Sequence, residues 1–233
     1  MGWFSSFLTS SIGKKLIMSL TGLFLIVFLV VHLIGNLQLL MDDGGRQFNL
    51  YAKFMTTNPV IQTTAYGLYF FILLHAIQGI LLWLKNKAAK GSSYAVNNTR
   101  ATNTVAGFAK NMGWLGIIIL VFLLIHMYQF WLQMKLGYVE MATYDGEQVK
   151  NLYLPVKEVF TNIGFVIFYI LSMVVIAFHL WHGFQSSFQT LGLNHKKYTP
   201  FIQGLGKAYA ILIPLGFALI PILFFLKYSS VVQ

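Results

Sequence analysis

"LIVFLVVHLIGN", residues 25–36, decides the fold. It is an apolar run broken by one imidazole, His32. The stretch around it, Leu16–Leu40, exceeds the roughly 20 apolar residues that a helix needs to cross a bilayer. A polar group at that depth is costly unless something pairs with it. The reading therefore turns on whether other spans carry a matching histidine.

Composition agrees with a membrane chain. Of 233 residues, 57% are hydrophobic and 9% charged, against about 25% charged in soluble domains. Mean hydropathy is +0.69. The absence of cysteine excludes disulfides, cysteine-ligated iron–sulfur clusters, thiolate nucleophiles and covalent C-x-x-C-H haem attachment. The start, "MGWFSSFLTSSIGKK", lacks the basic n-region and small-residue cleavage site of a secretory signal. It reads as a short interfacial segment.

Five spans are expected, near 16–40, 63–84, 112–133, 159–184 and 206–226, in one membrane domain over residues 1–233. Pro214 and Pro221 fall in the fifth, where a kink is expected and a membrane tolerates it. The polar loop 85–111 is read as cytoplasmic, with room for a surface helix. Charge sets the direction. With the N-terminus inside, ten lysines and arginines lie on the inner side: Lys14, Lys15, Lys85, Lys87, Lys90, Arg100, Lys110, Lys196, Lys197 and Lys207. The other six basic residues and all six acids fall outside and cancel. This is the positive-inside pattern of a multi-pass protein of a bacterial cytoplasmic membrane. It also accounts for the net charge of +10 without nucleic acid. Trp83, Trp114 and Trp131 near span ends suit an aromatic belt.

His32, His75, His126, His179 and His182 lie within the first four spans. His195, in the loop "NHKK", reads as a surface residue. At 1.5 Å per residue, His32 and His126 sit about 24 and about 21 Å from the inner ends of their spans. His75 and His179 sit about 15 Å from theirs. The four sort into an outer pair, His32 with His126, and an inner pair, His75 with His179. Any one of them alone reads best as a packed core histidine. Two matched layers on four helices call for facing imidazoles, the ligand set of a bis-histidine haem. The first four spans are thus expected to form a bundle holding two b haems.

Glycines recur at fixed offsets. Gly22 and Gly116 stand ten residues before His32 and His126, and Gly79 and Gly183 four residues after His75 and His179. They suit close approach of a flat ring, or ordinary small-residue helix packing. His182 rivals His179 as a ligand, since i and i+3 share a face. His179 is preferred because H-x-x-x-G then repeats His75 and Gly79. His182, Lys14, Lys15 and Ser19 are candidates for haem propionates, with a positive-inside anchor as the alternative for the lysines. No Asp or Glu lies within a span, and no nucleotide-binding motif is present.

"VHLIGN" at His32, "HAIQG" at His75, "IHMYQ" at His126 and "FHLWHGFQSSFQTLGL" at His179 resemble one family over nearly the whole chain. The chain is similar to the single-anchor dihaem cytochrome b subunits of succinate:quinone oxidoreductases, the succinate dehydrogenases and fumarate reductases of respiratory chains. The resemblance implies five spans and two b haems, ligated through His75 with His179 and His32 with His126. It implies a flavoprotein and an iron–sulfur subunit as partners on the cytoplasmic face. It also implies electron transport to membrane quinone, often menaquinone, near the outer haem. Such a subunit does not itself oxidise succinate. Some members carry a carboxylate in the span just before the fourth ligand, where this chain has Ala177 and Phe178. Asp42 and Asp43 in an outer loop are the remaining candidates for quinone protonation, with solvated loop charges as the alternative. Two other readings stay open: a cytochrome b of a hydrogenase or formate dehydrogenase, and a haem-free transporter with histidines in its pathway.

Overall fold

The structure is a computed structural model that describes residues 2–89 and 106–229. It is an all-α fold with five helices long and apolar enough to cross a membrane. Short α1 (Trp3–Thr9) leads into α2 (Ser11–Leu37), where the Ser10 hydroxyl accepts from Gly13 N at 3.0 Å and caps the helix. A single 3-10 turn, Gln38–Leu40, ends that span. After α3 (Arg46–Thr57), Asn58 caps α4 (Pro59–Ala89), with proline at its first position. The third span begins as α5 (Ala106–His126), widens to a π-helix over Met127–Leu132 and closes as α6 (Gln133–Leu136). A hairpin of β1 (Met141–Tyr144) and β2 (Glu147–Lys150) follows, pairing Tyr144 with Glu147 and Met141 with Lys150. Then come α7 (Tyr153–Thr161), α8 (Ile163–Thr190) and α9 (Thr199–Tyr228).

Five spans were expected and five are present, with different ends. The fourth starts at Ile163, not near 159. Asn162 is extended and caps Gly164 N at 2.9 Å, so Val159–Thr161 belong to α7. The helices on both sides of the loop expected over 85–111 run into it, to Ala89 and from Ala106. The surface helix expected between them lies outside the described residues. α9 runs unbroken through Pro214 and Pro221.

α2 packs against α4 and α8, and α5 packs against the same two helices. α2 and α5 therefore stand on one diagonal of a four-helix bundle, and α4 and α8 on the other. α9 lies outside it, against α8 and α2. The Tyr209 hydroxyl of α9 donates to the Ile26 carbonyl of α2 at 2.5 Å. One end of the bundle is lysine-rich. The other is capped by α3, the hairpin and α7. A core of Phe122, Tyr153, Phe160, Tyr169, Met173 and Phe224 fills the capped half. Val27, Ile34, Phe70, Leu73 and Leu124 project outward, as lipid-facing side chains do.

Asn49 organises the cap. Its side chain is 1% exposed. Its Nδ2 donates to Tyr144 Oη and Asn151 Oδ1, both at 3.0 Å, and its Oδ1 accepts from Tyr153 N at 3.1 Å. One residue thus joins α3, the hairpin and α7. Arg46 pairs with Asp145, and Lys53 with Glu147 at 2.6 Å, across the same seam.

Candidate functional site

The two diagonals each carry a histidine pair. His32 on α2 and His126 at the end of α5 have ring centres 5.9 Å apart, with planes at 87°. His75 on α4 and His179 on α8 have ring centres 6.4 Å apart, with planes at 71°. Two imidazoles facing one metal ion at about 2.0 Å each would have ring centres about 6 Å apart. Both pairs match that spacing. Among the described residues, no group of three or more histidines and acids gathers to make a metal cage. Each pair can act as two ligands of one ion whose remaining positions a macrocycle fills.

Aromatic packing holds the rings. Phe28 stacks on His32 at 5.1 Å and Phe122 on His126 at 5.7 Å, each four residues before its histidine. Phe217 of α9 lies 5.5 Å from His32. The stretches "FLVVH", "FILLH" and "FLLIH" end at His32, His75 and His126. This repeat is a signal that depth alone did not use.

Polar partners at the ring nitrogens differ among the four. Thr21 Oγ1 lies 3.1 Å from His75 Nδ1. Asn36 Nδ2 lies 3.3 Å from His32 Nδ1 and also donates to the His32 carbonyl at 2.8 Å. Tyr169 Oη lies 3.3 Å from His126 Nδ1 and donates to Gln129 Oε1 at 2.7 Å. Among the described residues, buried His179 Nδ1 meets no hydrogen-bond partner. Thr21, Asn36, Gln129 and Tyr169 were not singled out from sequence. Their mark there is being polar within apolar runs, and Asn36 and Gln129 also close the stretches "VHLIGN" and "IHMYQ".

The glycines do not behave alike. The bare backbone of Gly22 lies against His75, so that a Cβ there would sit 3.3 Å from His75 Cε1. A Cβ on Gly79 would touch Met18 at 3.5 Å. Gly116 and Gly183 are half-buried, and a Cβ on either would touch nothing within 4 Å.

The remaining candidates fall at the two ends. At the lysine-rich end Ser19 is buried and Lys14 half-buried. Lys15 lines a groove of about 350 Å³ with Ile12, Leu16, Ser186, Gln189 and Thr190. His182 is one turn beyond His179, and the ring that faces His75 is that of His179. His195 is exposed, with its Nδ1 accepting from Lys197 N at 3.2 Å. At the capped end Asp42 pairs with Lys227 at 2.7 Å. That hydrogen bond, with the ammonium charge, holds the Asp42 carboxyl below the usual carboxylate range. Asp43 accepts from Gly45 N at 2.9 Å and Gln47 N at 2.8 Å, folding the turn into α3. Tyr153 meets Tyr228 hydroxyl to hydroxyl at 2.5 Å. Burial and that contact raise the Tyr153 phenol.

No protein-family model, curated protein or solved structure matches the chain.

Proposed function

We propose that this chain is the dihaem cytochrome b anchor of a succinate:quinone oxidoreductase. In this reading it passes electrons between an iron–sulfur partner subunit and membrane quinone. The observation that carries the reading is the pair of facing histidines on each diagonal of one four-helix bundle. His32 with His126 would hold one b haem, and His75 with His179 the other. Haem, when bound, supplies one-electron redox chemistry. The chain's own residues hold the rings, exclude water and keep the sites apart.

The lysine-rich end faces the cytoplasm in this reading, where the flavoprotein and iron–sulfur subunits dock. Lys14, Lys15, Ser19 and His182 lie toward that end, on the side suited to haem propionates. The cap then lies on the outer side, with Asp42 and Asp43 at its edge as candidates to exchange protons with quinone, the resemblance implying menaquinone. Replacing both with Asn should slow quinone turnover. Unchanged turnover removes them from the reading.

The direct test is a reduced-minus-oxidised spectrum of the purified chain with a pyridine haemochrome count. Two b haems per chain are expected. A haem-free chain would end the electron-transfer reading and favour a transporter. Subunits that copurify decide between succinate:quinone oxidoreductase and a hydrogenase or formate dehydrogenase.

A further inference from the structure

We infer that Tyr169, backed by Gln129, and Thr21 are positioning residues, each fixing one histidine of a pair in the tautomer whose Nε2 is free for iron. The inference rests on the two-haem reading. A neutral imidazole carries one N–H and one lone pair. The lone pair goes to the metal, and the N–H is normally donated to an outer partner that orients the ring.

At His126 the direction of the chain is set by its far end. Gln129 Oε1 can only accept, and it takes the Tyr169 hydroxyl proton at 2.7 Å. A hydroxyl has one proton, so Tyr169 turns a lone pair toward His126 Nδ1, 3.3 Å away. Nδ1 then carries the hydrogen, and Nε2 is bare. Tyr169 is 5% exposed. Phe122 and Phe160 pack its ring at 5.2 and 5.0 Å, so it has no room to swing aside. The helix widens to π geometry over Met127–Leu132, the stretch that contains Gln129. Such widenings recur at functional sites.

Thr21 does the same for His75. Its hydroxyl proton goes to the Ile17 carbonyl at 2.8 Å, leaving a lone pair for His75 Nδ1 at 3.1 Å. The opposite members differ. His179 Nδ1 has no partner among the described residues. His32 Nδ1 faces the Asn36 amide nitrogen, which is a donor. Each pair therefore has one anchored imidazole and one that is not. The anchored histidines are on α4 and α5, one for each level.

An accepted Nδ1–H makes the imidazole a stronger donor to iron and favours the ferric form. Removing the acceptor should raise that haem's midpoint potential. The experiment is a spectroscopic redox titration of the purified complex with both haems bound. Tyr169→Phe should move one b-haem midpoint upward and leave the other in place. Thr21→Val should move the other one. Neither midpoint moving, both moving together, or the same one moving in both variants overturns the assignment. A wild-type chain without haem would instead overturn the underlying reading. If Tyr169→Phe does not accumulate, Gln129→Leu carries the test. Without its acceptor, Tyr169 no longer holds its lone pair on Nδ1, and the same b-haem midpoint should move upward with both haems kept. Two haems with unchanged midpoints in that variant also overturn the inference.

Discussion

His75 and His179 face each other across the α4–α8 diagonal, 6.4 Å between ring centres, and of the two only His75 has, among the described residues, a hydrogen-bond partner at Nδ1. His182, one turn further along α8, stands outside this pairing. Haem content should follow that geometry. His75→Ala and His179→Ala should each reduce two haems to one, while His182→Ala keeps both. A haemochrome count on the three variants checks this, and loss of a haem on replacing His182 would transfer the ligand role to it.

The outer pair makes a parallel case. His32→Ala or His126→Ala should also leave one haem, and it should be the one that survives no loss of His75. Combining His32→Ala with His75→Ala should then give a haem-free chain. The absorbance of the double variant is the check, and a residual haem would mean that the pairs are wrongly assigned.

How far was this legible in sequence? The pairing of His32 with His126 and of His75 with His179 was, because a long helix rises evenly along its sequence. The end of the fourth span was not. Val159 and Phe160 continue the apolar run without a break, and only the backbone at Asn162 separates α7 from α8. The cap was invisible for another reason. Asn49 gathers Tyr144, Asn151 and the Tyr153 backbone N–H from up to 104 residues away, and nothing local in any of them announces it. Tyr169 and Gln129 were equally silent, since a polar residue in a span has many packing uses.

Asn49 should be the most sensitive single position in the cap. Asn49→Ala removes three hydrogen bonds at a buried site and strands their partners. At about 1 kcal/mol each, with added cost for unpaired groups, a loss of about 3–5 kcal/mol is expected. Denaturant unfolding in detergent reads it. A loss below 1 kcal/mol would show that water enters and replaces the network.

Gly45 presents a different constraint. Its φ is +86°, and the Tyr153 ring occupies the space a Cβ would need. Gly45→Ala should cost about 1–3 kcal/mol from backbone strain alone, with more from displacing Tyr153. Gly44 has φ +66° and open space beside it, so Gly44→Ala should cost only the strain. Melting temperatures of the two variants should rank in that order.

The Asp42–Lys227 pair predicts a pH dependence. A carboxyl with a depressed folded value binds its proton more readily when unfolded. Its stabilisation is present above the unfolded value, about 3.9, and is lost as pH falls through the lower folded value. Asp42→Asn should therefore flatten the fall in melting temperature below about pH 4. Both groups are exposed, so added salt should weaken the difference. Superimposable acid profiles for the two proteins would show that the pair makes no difference.

α9 carries no histidine, yet at the capped end it ties α7 to the turn that follows α2. Tyr228 meets Tyr153 of α7, Lys227 holds Asp42 beyond α2, and Phe224 packs into the core beside Phe160. It emerges from the ribosome after the four helices of the bundle. In the two-haem reading those four carry every proposed ligand, and they can gather around haem while the α2 and α8 faces that α9 covers are still open. Insertion of α9 then closes the outer edge behind them, so the order of translation itself separates loading from sealing.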